Sequence, residues 1–198
     1  MNKAVFFDRD GVILELPKGN EAYGFIYKKE DVVIVDGVRE ALHALKGRGY
    51  LNVIITNQPV IARGIVSYED VVELHEFINR KLGGLIDRFY FCPHHPETHP
   101  DVPERALKYR TVCGCRKPAP GMIIKAAKDL NINLKKSWML GDMVTDIAAG
   151  EAAGCKTIMI ESLANSRVPK SGNAFKNDVK PTSKAQNALD AVRYILEK

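Results

Sequence analysis

Short apolar runs alternate with amphipathic segments along most of this chain, and this alternation is the feature that most constrains its fold. Runs such as Lys3–Phe7, Leu51–Ile55 and Thr157–Ile160 have the length and residue types of buried strands. Segments with apolar residues at helical spacing, such as Asp36–Gly49, lie between the runs. Alternating strands and helices favour a mostly parallel sheet with helices on both faces. We therefore predict one Rossmann-like α/β domain over residues 1–198.

The remaining elements are predicted from the same periodicity and from residues that cap helices or form loops. Ser67 is expected to be an N-cap, with Asp70 at the capping-box position of a helix that ends near Leu82. The other predicted elements are strands Leu85–Phe91 and Trp138–Leu140 and helices Pro120–Leu130, Thr145–Gly154 and Ser183–Leu196. Three segments without periodicity are predicted as a flap (Leu16–Lys29), a long loop (Cys92–Arg116) and a mobile segment (Glu161–Thr182).

Composition excludes several classes of protein. No apolar stretch is long enough to span a membrane, and the first residues lack the pattern of a secretion signal, so we expect a cytoplasmic protein. The net charge of +5 comes from scattered Lys and Arg rather than from a basic stripe, so we expect no nucleic-acid partner. The alternative, that this charge helps to attract a phosphorylated substrate, is a weaker interpretation than that of an ordinary solvated surface. We expect a monomer that binds a small phosphorylated metabolite.

Polar residues follow the predicted strands, at the sheet edge where ligands bind in folds of this class. They are Asp8, Asp10, Thr56, Lys117, Asp142 and Asp146. At the period of a strand, Asp8 and Asp10 are expected to point the same way and Arg9 the opposite way. Carboxylates can hold a hard cation such as Mg²⁺, serve as a covalent nucleophile, and transfer protons. A lysine and a hydroxyl can hold phosphoryl oxygens. The set indicates phosphoryl transfer.

Four motifs in order carry a family resemblance: DRDG (8–11), TN (56–57), RKP (116–118) and GDMVTD (141–146). The chain resembles the haloacid dehalogenase (HAD) superfamily of phosphatases over about residues 3–160. No stretch is long enough for a large cap domain, so we expect a minimal cap. The resemblance implies that Asp8 is the nucleophile and a magnesium ligand, and that Asp142 is another ligand. It also implies an acid/base role for Asp10, whose main-chain carbonyl binds the metal.

The same resemblance implies that Thr56 and Lys117 steady the phosphoryl group and that Asp146 orients the loop carrying Asp142. Taken singly, Asp142 or Thr56 is as well explained by a helix cap or a strand end. The ordered combination is what favours catalysis. A zinc-stabilised interaction module that had lost catalysis would be expected to lack Asp8, Asp10 or Lys117.

Two pairs of soft ligands bracket the long loop: Cys92 with His94, and Cys113 with Cys115. Three thiolates and one imidazole form a closed tetrahedral zinc site, which is structural rather than catalytic. His95 and His99 are competing imidazoles, free thiols are the plain alternative, and iron can occupy sulfur-rich tetrahedral sites. Cys155 is expected to be a core residue.

The zinc loop, together with TNQ (56–58) and IARG (61–64), resembles the D-glycero-D-manno-heptose 1,7-bisphosphate phosphatases. This resemblance implies removal of the C7 phosphate of a sugar bisphosphate. It assigns Arg116 to substrate recognition and Asn57 and Gln58 to the pocket lining. The histidinol-phosphate phosphatases share the zinc loop and RKP and provide the alternative substrate. A nucleic-acid end phosphatase would need a basic, aromatic groove, which the sequence lacks.

Pro59 departs from the family pattern, in which a small residue follows TNQ. Proline lacks the backbone N–H donor, so we expect phosphate or sugar to be held differently here. The segment Leu16–Val35 is also longer than is usual, and Val12 stands where threonine is frequent.

Overall fold

The computed structural model describes residues 1–16, 25–96, 102–161 and 179–198. Six parallel strands form one sheet in the order β3-β2-β1-β4-β5-β6. The strands are β1 (Lys3–Phe7), β2 (Tyr50–Asn57), β3 (Arg88–Cys92), β4 (Trp138–Gly141), β5 (Lys156–Ile160) and β6 (Ser183–Ala185). The helices are α1 (Val38–Gly47), α2 (Tyr68–Lys81), α3 (Glu104–Leu107), α4 (Gly121–Asp129), α5 (Val144–Ala153) and α6 (Ala188–Leu196), with 3-10 turns at Lys29–Asp31 and Leu134–Lys136.

Both faces of the sheet are covered, as the continuous apolar strands predicted. In β1, Val5 and Phe7 face a core shared with α1, α2 and α6. Ala4 and Phe6 face a second core shared with α4 and α5. All four side chains are fully buried. Parallel sheets are stable only when both faces are packed, which explains why these strands lack polar alternation.

The order of the strands indicates where in the sheet a ligand site is expected. The chain builds the sheet outward from β1 through β2 and β3, then returns to the other side of β1 with β4. The order therefore reverses between β1 and β4, and the crevice at such a switch point binds ligands in open α/β sheets. Asp8 and Asp142 follow these two strands directly.

Most predicted elements are present, and the capping box is confirmed. Ser67 accepts a hydrogen bond from the Asp70 N–H, and the Asp70 carboxylate accepts one from the Ser67 N–H. These bonds satisfy N–H groups that have no partner within the helix.

Two predictions were wrong. The predicted helix Ser183–Leu196 divides into strand β6 and helix α6, because Thr182 and Thr157 exchange backbone-to-hydroxyl hydrogen bonds that start pairing with β5. Asn187 then caps the helix by accepting from the Asp190 N–H. The long loop also contains the one-turn helix α3. Pairing with β5 overrides the helical periodicity at Ser183, whereas the four residues of α3 are too few to show a periodic pattern in the sequence.

Most of the predicted flap (17–24) and of the predicted mobile segment (162–178) lies outside the described residues. The described part after the flap packs back on the domain: the Glu15 N–H donates to the Val33 carbonyl, and the Val35 N–H donates to the Ile13 carbonyl. Among the residues that the structure describes, no helix is both long and apolar enough to cross a bilayer.

Candidate active site

Three buried aspartates meet where β1 and β4 end. Asp8, Asp142 and Asp146 each place a carboxylate oxygen within 4.8 Å of the others. Asp8 follows β1, Asp142 follows β4, and Asp146 lies in the first turn of α5. The predicted convergence of these three side chains is therefore present in the structure.

Two glycines allow the backbone to bring these carboxylates together. Gly11 has a φ of +92°, and a Cβ there would lie 2.5 Å from an Asp142 carboxylate oxygen. A Cβ on Gly141 would lie 2.1 Å from the Cβ of Asp146. Any larger residue at either position would displace an aspartate of the cluster.

The cluster carries more negative charge than its protein partners balance. Burial and the neighbouring Asp8 carboxylate raise the pKa of Asp142 to about 8. Burial also raises the pKa of Asp146 to about 6, although Lys117 opposes that shift. One oxygen of Asp142 is buried without a hydrogen-bond partner. Buried, unbalanced carboxylate oxygens suit a hard divalent cation, so the donor set fits magnesium.

Lys117 is the cation that the protein itself supplies. Its ammonium lies 2.8 Å from Asp8 Oδ1 and 2.5 Å from Asp146 Oδ1, and it donates to the Ile55 carbonyl at 2.9 Å. Burial alone would lower the pKa of Lys117, but Asp146 and Asp8 outweigh this effect and raise it. The side chain is therefore protonated throughout the physiological range.

The contacts of Asp146 distinguish it from the other two aspartates. One of its oxygens is ion-paired with Lys117, and the other accepts from the Met143 N–H at 3.0 Å. Asp146 Oδ1, like Asp142 Oδ1, has no well-aligned hydrogen bond, but it has the Lys117 ammonium as an ion-pair partner. Asp8 contacts Lys117 through Oδ1, so its Oδ2 and the Asp142 carboxylate are better placed to accept a cation than the Asp146 carboxylate.

Asp10 lies beside the aspartate cluster, and a network centred on Arg9 holds its carboxylate. The Arg9 guanidinium is fully buried and donates to both Asp10 oxygens at 2.8 Å. It also donates to the Ile26 carbonyl at 2.5 Å and the Gln58 Oε1 at 3.0 Å. The expectation that Arg9 points away from Asp10 was wrong, because β1 ends at Phe7 and strand alternation does not continue into the turn.

His75 is the part of this network that sequence reasoning missed. Its Nε2 lies 3.0 Å from Arg9 Nη1, and its ring stacks on Phe89 with centroids 4.6 Å apart. Burial, aided by the Arg9 charge, lowers the pKa of His75 well below 6.5. Since arginine can only donate, Nε2 is the unprotonated acceptor. The clue in the sequence was Arg9, which lies between Asp8 and Asp10. A buried guanidinium has five N–H donors and needs several acceptors, and a histidine ring nitrogen can be one of them.

The TNQ residues lie at the end of β2. The Thr56 hydroxyl is buried and accepts from Gln58 Nε2 at 3.0 Å. The Asn57 side chain is half-buried and bonds to the main chain of Lys117, and the Gln58 side chain is fully buried. Pro59 is buried at the start of a turn that the Ile61 N–H closes onto the Gln58 carbonyl.

The four predicted zinc ligands are together. The sulfur atoms of Cys92, Cys113 and Cys115 lie 3.2 to 3.5 Å apart. His94 Nδ1 lies 3.4 Å from Cys115 Sγ and 3.7 Å from Cys92 Sγ. Tetrahedral ligands at about 2.3 Å from zinc are separated by roughly 3.8 Å, so this cluster suits the ion. In the metal-free cluster, a hydrogen bond from Cys92 lowers the pKa of Cys115 to about 5 and raises that of Cys92, so this pair favours one thiolate before zinc binds.

Arg116 and Lys117 connect the Cys/His cluster to the aspartate cluster. Arg116 Nη1 donates to the His94 carbonyl at 3.3 Å, and Lys117 follows directly. The competing His95 contributes no atom to the cluster, although its N–H donates to the Tyr109 carbonyl, and His99 lies outside the described residues. Cys155 is buried in the core as expected, and burial raises its pKa to about 12.

Comparison with known proteins gives three kinds of match. The family model for HAD-hydrolase-like proteins matches residues 114–182. The D-glycero-beta-D-manno-heptose-1,7-bisphosphate 7-phosphatase of Haemophilus ducreyi is 40% identical over 159 residues, covering 78% of this chain and 80% of that protein. The D-glycero-alpha-D-manno-heptose-1,7-bisphosphate 7-phosphatase of Burkholderia mallei is 38% identical over 162 residues, covering 80% and 79%.

A solved structure shares the fold. The D,D-heptose 1,7-bisphosphate phosphatase from B. bronchiseptica, complexed with magnesium and phosphate, superposes with a TM-score of 0.75 at 23% identity. The match covers 98% of each chain. At this identity the likeness shows that the two chains share a fold and nothing more.

Proposed function

Because this chain belongs to the D-glycero-D-manno-heptose-1,7-bisphosphate 7-phosphatase family of HAD-like hydrolases, we propose that it removes the C7 phosphate of that bisphosphate. The observation that carries the proposal is the buried group of Asp8, Lys117 and Asp142 at the switch point of a chain related over most of its length to these phosphatases. Relatives named for both anomers are similarly close in sequence, so the proposal covers the bisphosphate without choosing an anomer.

The proposed reaction has two steps on Asp8. An Asp8 carboxylate oxygen attacks phosphorus, forming an aspartyl-phosphate, while the bond to the sugar oxygen breaks and Asp10 supplies the proton that this oxygen takes up. Asp10 then accepts a proton from the water that attacks phosphorus, and inorganic phosphate leaves while the Asp8 carboxylate is restored. Lys117 and the Thr56 hydroxyl hold phosphoryl oxygens as charge shifts during the transfer.

Magnesium would be held by the Asp8 and Asp142 carboxylates and the main-chain carbonyl of Asp10. When bound, it would offset the charge of these carboxylates and of the phosphoryl group. Asp146 keeps Lys117 in place and orients the loop that carries Asp142. Each of these residues therefore has a separate role in the proposed reaction.

Zinc would be held by Cys92, His94, Cys113 and Cys115, a set that leaves no open coordination position. Its proposed role is structural. By fixing Cys115, zinc would also fix Arg116 and Lys117, which follow it directly in the chain. We propose that Arg116 contacts the substrate from this clamped position. A zinc–thiolate site needs reduced cysteines, which supports a cytoplasmic location. Asp8, Asp142, Asp146 and Lys117 of a single chain lie together and in contact, so we propose that a monomer is active.

Phosphate release from a substrate panel tests the proposal. With magnesium present, we expect strong preference for one anomer or both anomers of heptose 1,7-bisphosphate over fructose 1,6-bisphosphate, histidinol phosphate and an aryl phosphate. Histidinol phosphate as the preferred substrate would contradict the heptose assignment and keep the chemistry. Activity on the aryl phosphate alone would likewise reject the substrate and keep the phosphatase mechanism.

A further inference from the structure

Asn57 forms two hydrogen bonds with the main chain of Lys117. Its Oδ1 accepts from the Lys117 N–H at 3.0 Å, and its Nδ2 donates to the Lys117 carbonyl at 3.1 Å. The backbone N–H can only donate, so it determines which end of the amide faces it. The Asn57 amide thus bonds to the N–H and the carbonyl of one residue, as a neighbouring β-strand would, although Lys117 is 60 positions away in the chain.

A second contact joins the end of β2 to Lys117, and it involves the lysine side chain. The Ile55 carbonyl accepts from the ammonium at 2.9 Å, and the remaining contacts of the ammonium are with Asp8 and Asp146. Three acceptors use the three N–H bonds of an ammonium. Asn57 therefore places the main chain from which Lys117 reaches Asp8.

Gln58 forms a comparable link to Asp10. It is 0% exposed, so a substrate in the crevice has no access to its side chain. Arg9, which can only donate, occupies its Oε1. Its Nε2 consequently faces Asp10 Oδ2 at 3.2 Å and Thr56 Oγ1 at 3.0 Å.

We propose that the side chains of Asn57 and Gln58 position catalytic groups, Asn57 placing Lys117 and Gln58 placing Asp10, rather than contacting substrate themselves. The inference rests on the proposed phosphatase function, because Lys117 and Asp10 are groups of that chemistry. It differs from the pocket-lining role that family resemblance assigns to both amides. Small displacements of reacting groups lower turnover strongly, whereas lost substrate contacts raise KM.

The decisive variant is Asn57→Ala, assayed with heptose 1,7-bisphosphate and with an aryl phosphate that has no sugar. We expect kcat to fall about 10- to 100-fold on both substrates, with KM changed less than about threefold. A rise in KM on the bisphosphate with unchanged kcat would overturn the inference, as would unchanged kinetics on the aryl phosphate. If the wild type hydrolyses only the aryl phosphate, the proposed substrate fails while kcat on the aryl phosphate still decides this inference.

Asn52→Ala is the matched control, because Asn52 is an asparagine of the same strand. Its buried Nδ2 donates to the Leu42 and Leu85 carbonyls, both 3.0 Å away. We expect this variant to lower Tm without lowering kcat in assays run well below its Tm. An equal loss of kcat in Asn52→Ala would mean that general destabilisation explains the effect and would overturn the inference.

Two further variants keep the test decisive if Asn57→Ala does not fold. Asn57→Asp keeps the acceptor for the Lys117 N–H but loses the donor to its carbonyl. Gln58→Glu keeps an acceptor for Arg9 but loses the donor to Asp10. We expect both to lower kcat at least about fivefold on both substrates. Unchanged kcat in both variants would overturn the inference.

Discussion

The ammonium of Lys117 lies 2.8 Å from Oδ1 of Asp8, although 109 positions separate the two residues in the chain. This ion pair joins the end of the zinc loop to the end of β1. Both side chains are buried, so removing Lys117 leaves the Asp8 carboxylate without this counter-charge, whereas removing Asp8 leaves Lys117 with Asp146 as its remaining carboxylate partner. Changes at either end of the contact therefore affect both the chemistry and the structure around it.

Asp8→Asn is expected to lower turnover by at least about 10⁴-fold, since an amide cannot form the aspartyl-phosphate. Phosphate release and circular dichroism would show lost activity with the fold retained. Asp129→Asn is the matched control, because that carboxylate bonds to Lys125 and Tyr90 on the surface. Turnover in Asp8→Asn comparable to that of the control would reject Asp8 as the nucleophile.

Cys113→Ser is expected to remove zinc and lower Tm by about 5 °C or more, because the loop loses one of four ligands. Metal content measured by mass spectrometry tests this. Cys155→Ser provides the control, since Cys155 is a buried cysteine outside the cluster, and this variant should retain one zinc per chain. Full zinc content in Cys113→Ser would contradict the assigned ligand set.

Stabilisation by magnesium is expected to increase with pH. The pKa of Asp142 is raised to about 8 and that of Asp146 to about 6, so ionising either group in the metal-free protein destabilises the fold. The stability contributed by the protonated forms is present below about pH 4 and is lost as pH rises through 6 and 8. Magnesium offsets that loss by binding the ionised carboxylates.

The rise in Tm on adding magnesium should therefore be small at pH 5 and largest near pH 8.5. Thermal unfolding with and without the metal, at matched ionic strength, measures it. Asp142→Asn should abolish most of the pH dependence of the shift. A magnesium shift that is the same at both pH values would contradict the assignment of the cation to these carboxylates.

His75 is expected to make the protein less stable in acid. Its pKa in the folded state lies well below 6.5, so it is neutral when folded and must be protonated as the chain unfolds in acid. The stability that this group contributes is present above about pH 6.5 and is lost as pH falls below that value. Denaturant unfolding from pH 7.5 to 5 measures the slope.

His75→Gln should unfold more easily at pH 7.5, because it loses the ring that stacks on Phe89, but its stability should fall less steeply below pH 6.5, because glutamine takes up no proton there. His43→Gln is the control, because His43 lies on the exposed side of α1. A wild-type slope that His75→Gln leaves unaltered would show that other groups determine acid stability.

Pro59→Ser restores the backbone donor that the family pattern has at this position. Proline at the start of the Gln58–Ile61 turn restricts the unfolded chain, so we expect the variant to lose about 0.4 to 1 kcal/mol of unfolding free energy. We also expect KM for the bisphosphate to fall about threefold while KM for an aryl phosphate stays constant. Equal KM values in variant and wild type would show that Pro59 acts only on the turn.

The sequence by itself determined the fold class and the composition of the site. Continuous apolar strands separated by amphipathic helices admit a covered parallel sheet and little else, and the carboxyl ends of such strands meet at one edge. That is why Asp8 and Asp142 could be placed together before the structure was known. The paired spacing of Cys92 with His94 and of Cys113 with Cys115 likewise predicts a single cluster.

Only the tertiary structure determined which polar side chains form hydrogen bonds and ion pairs with one another. Local periodicity cannot show that Asn57 bonds to the backbone of Lys117, or that Gln58 is buried behind Asp10. It also placed Arg9 on the wrong side, because strand alternation stops where the strand does. The partners of a buried polar group are set by elements that approach from distant parts of the chain, and each group must find a partner once water is excluded. The sequence specifies the groups that need partners, and packing of the whole domain selects them.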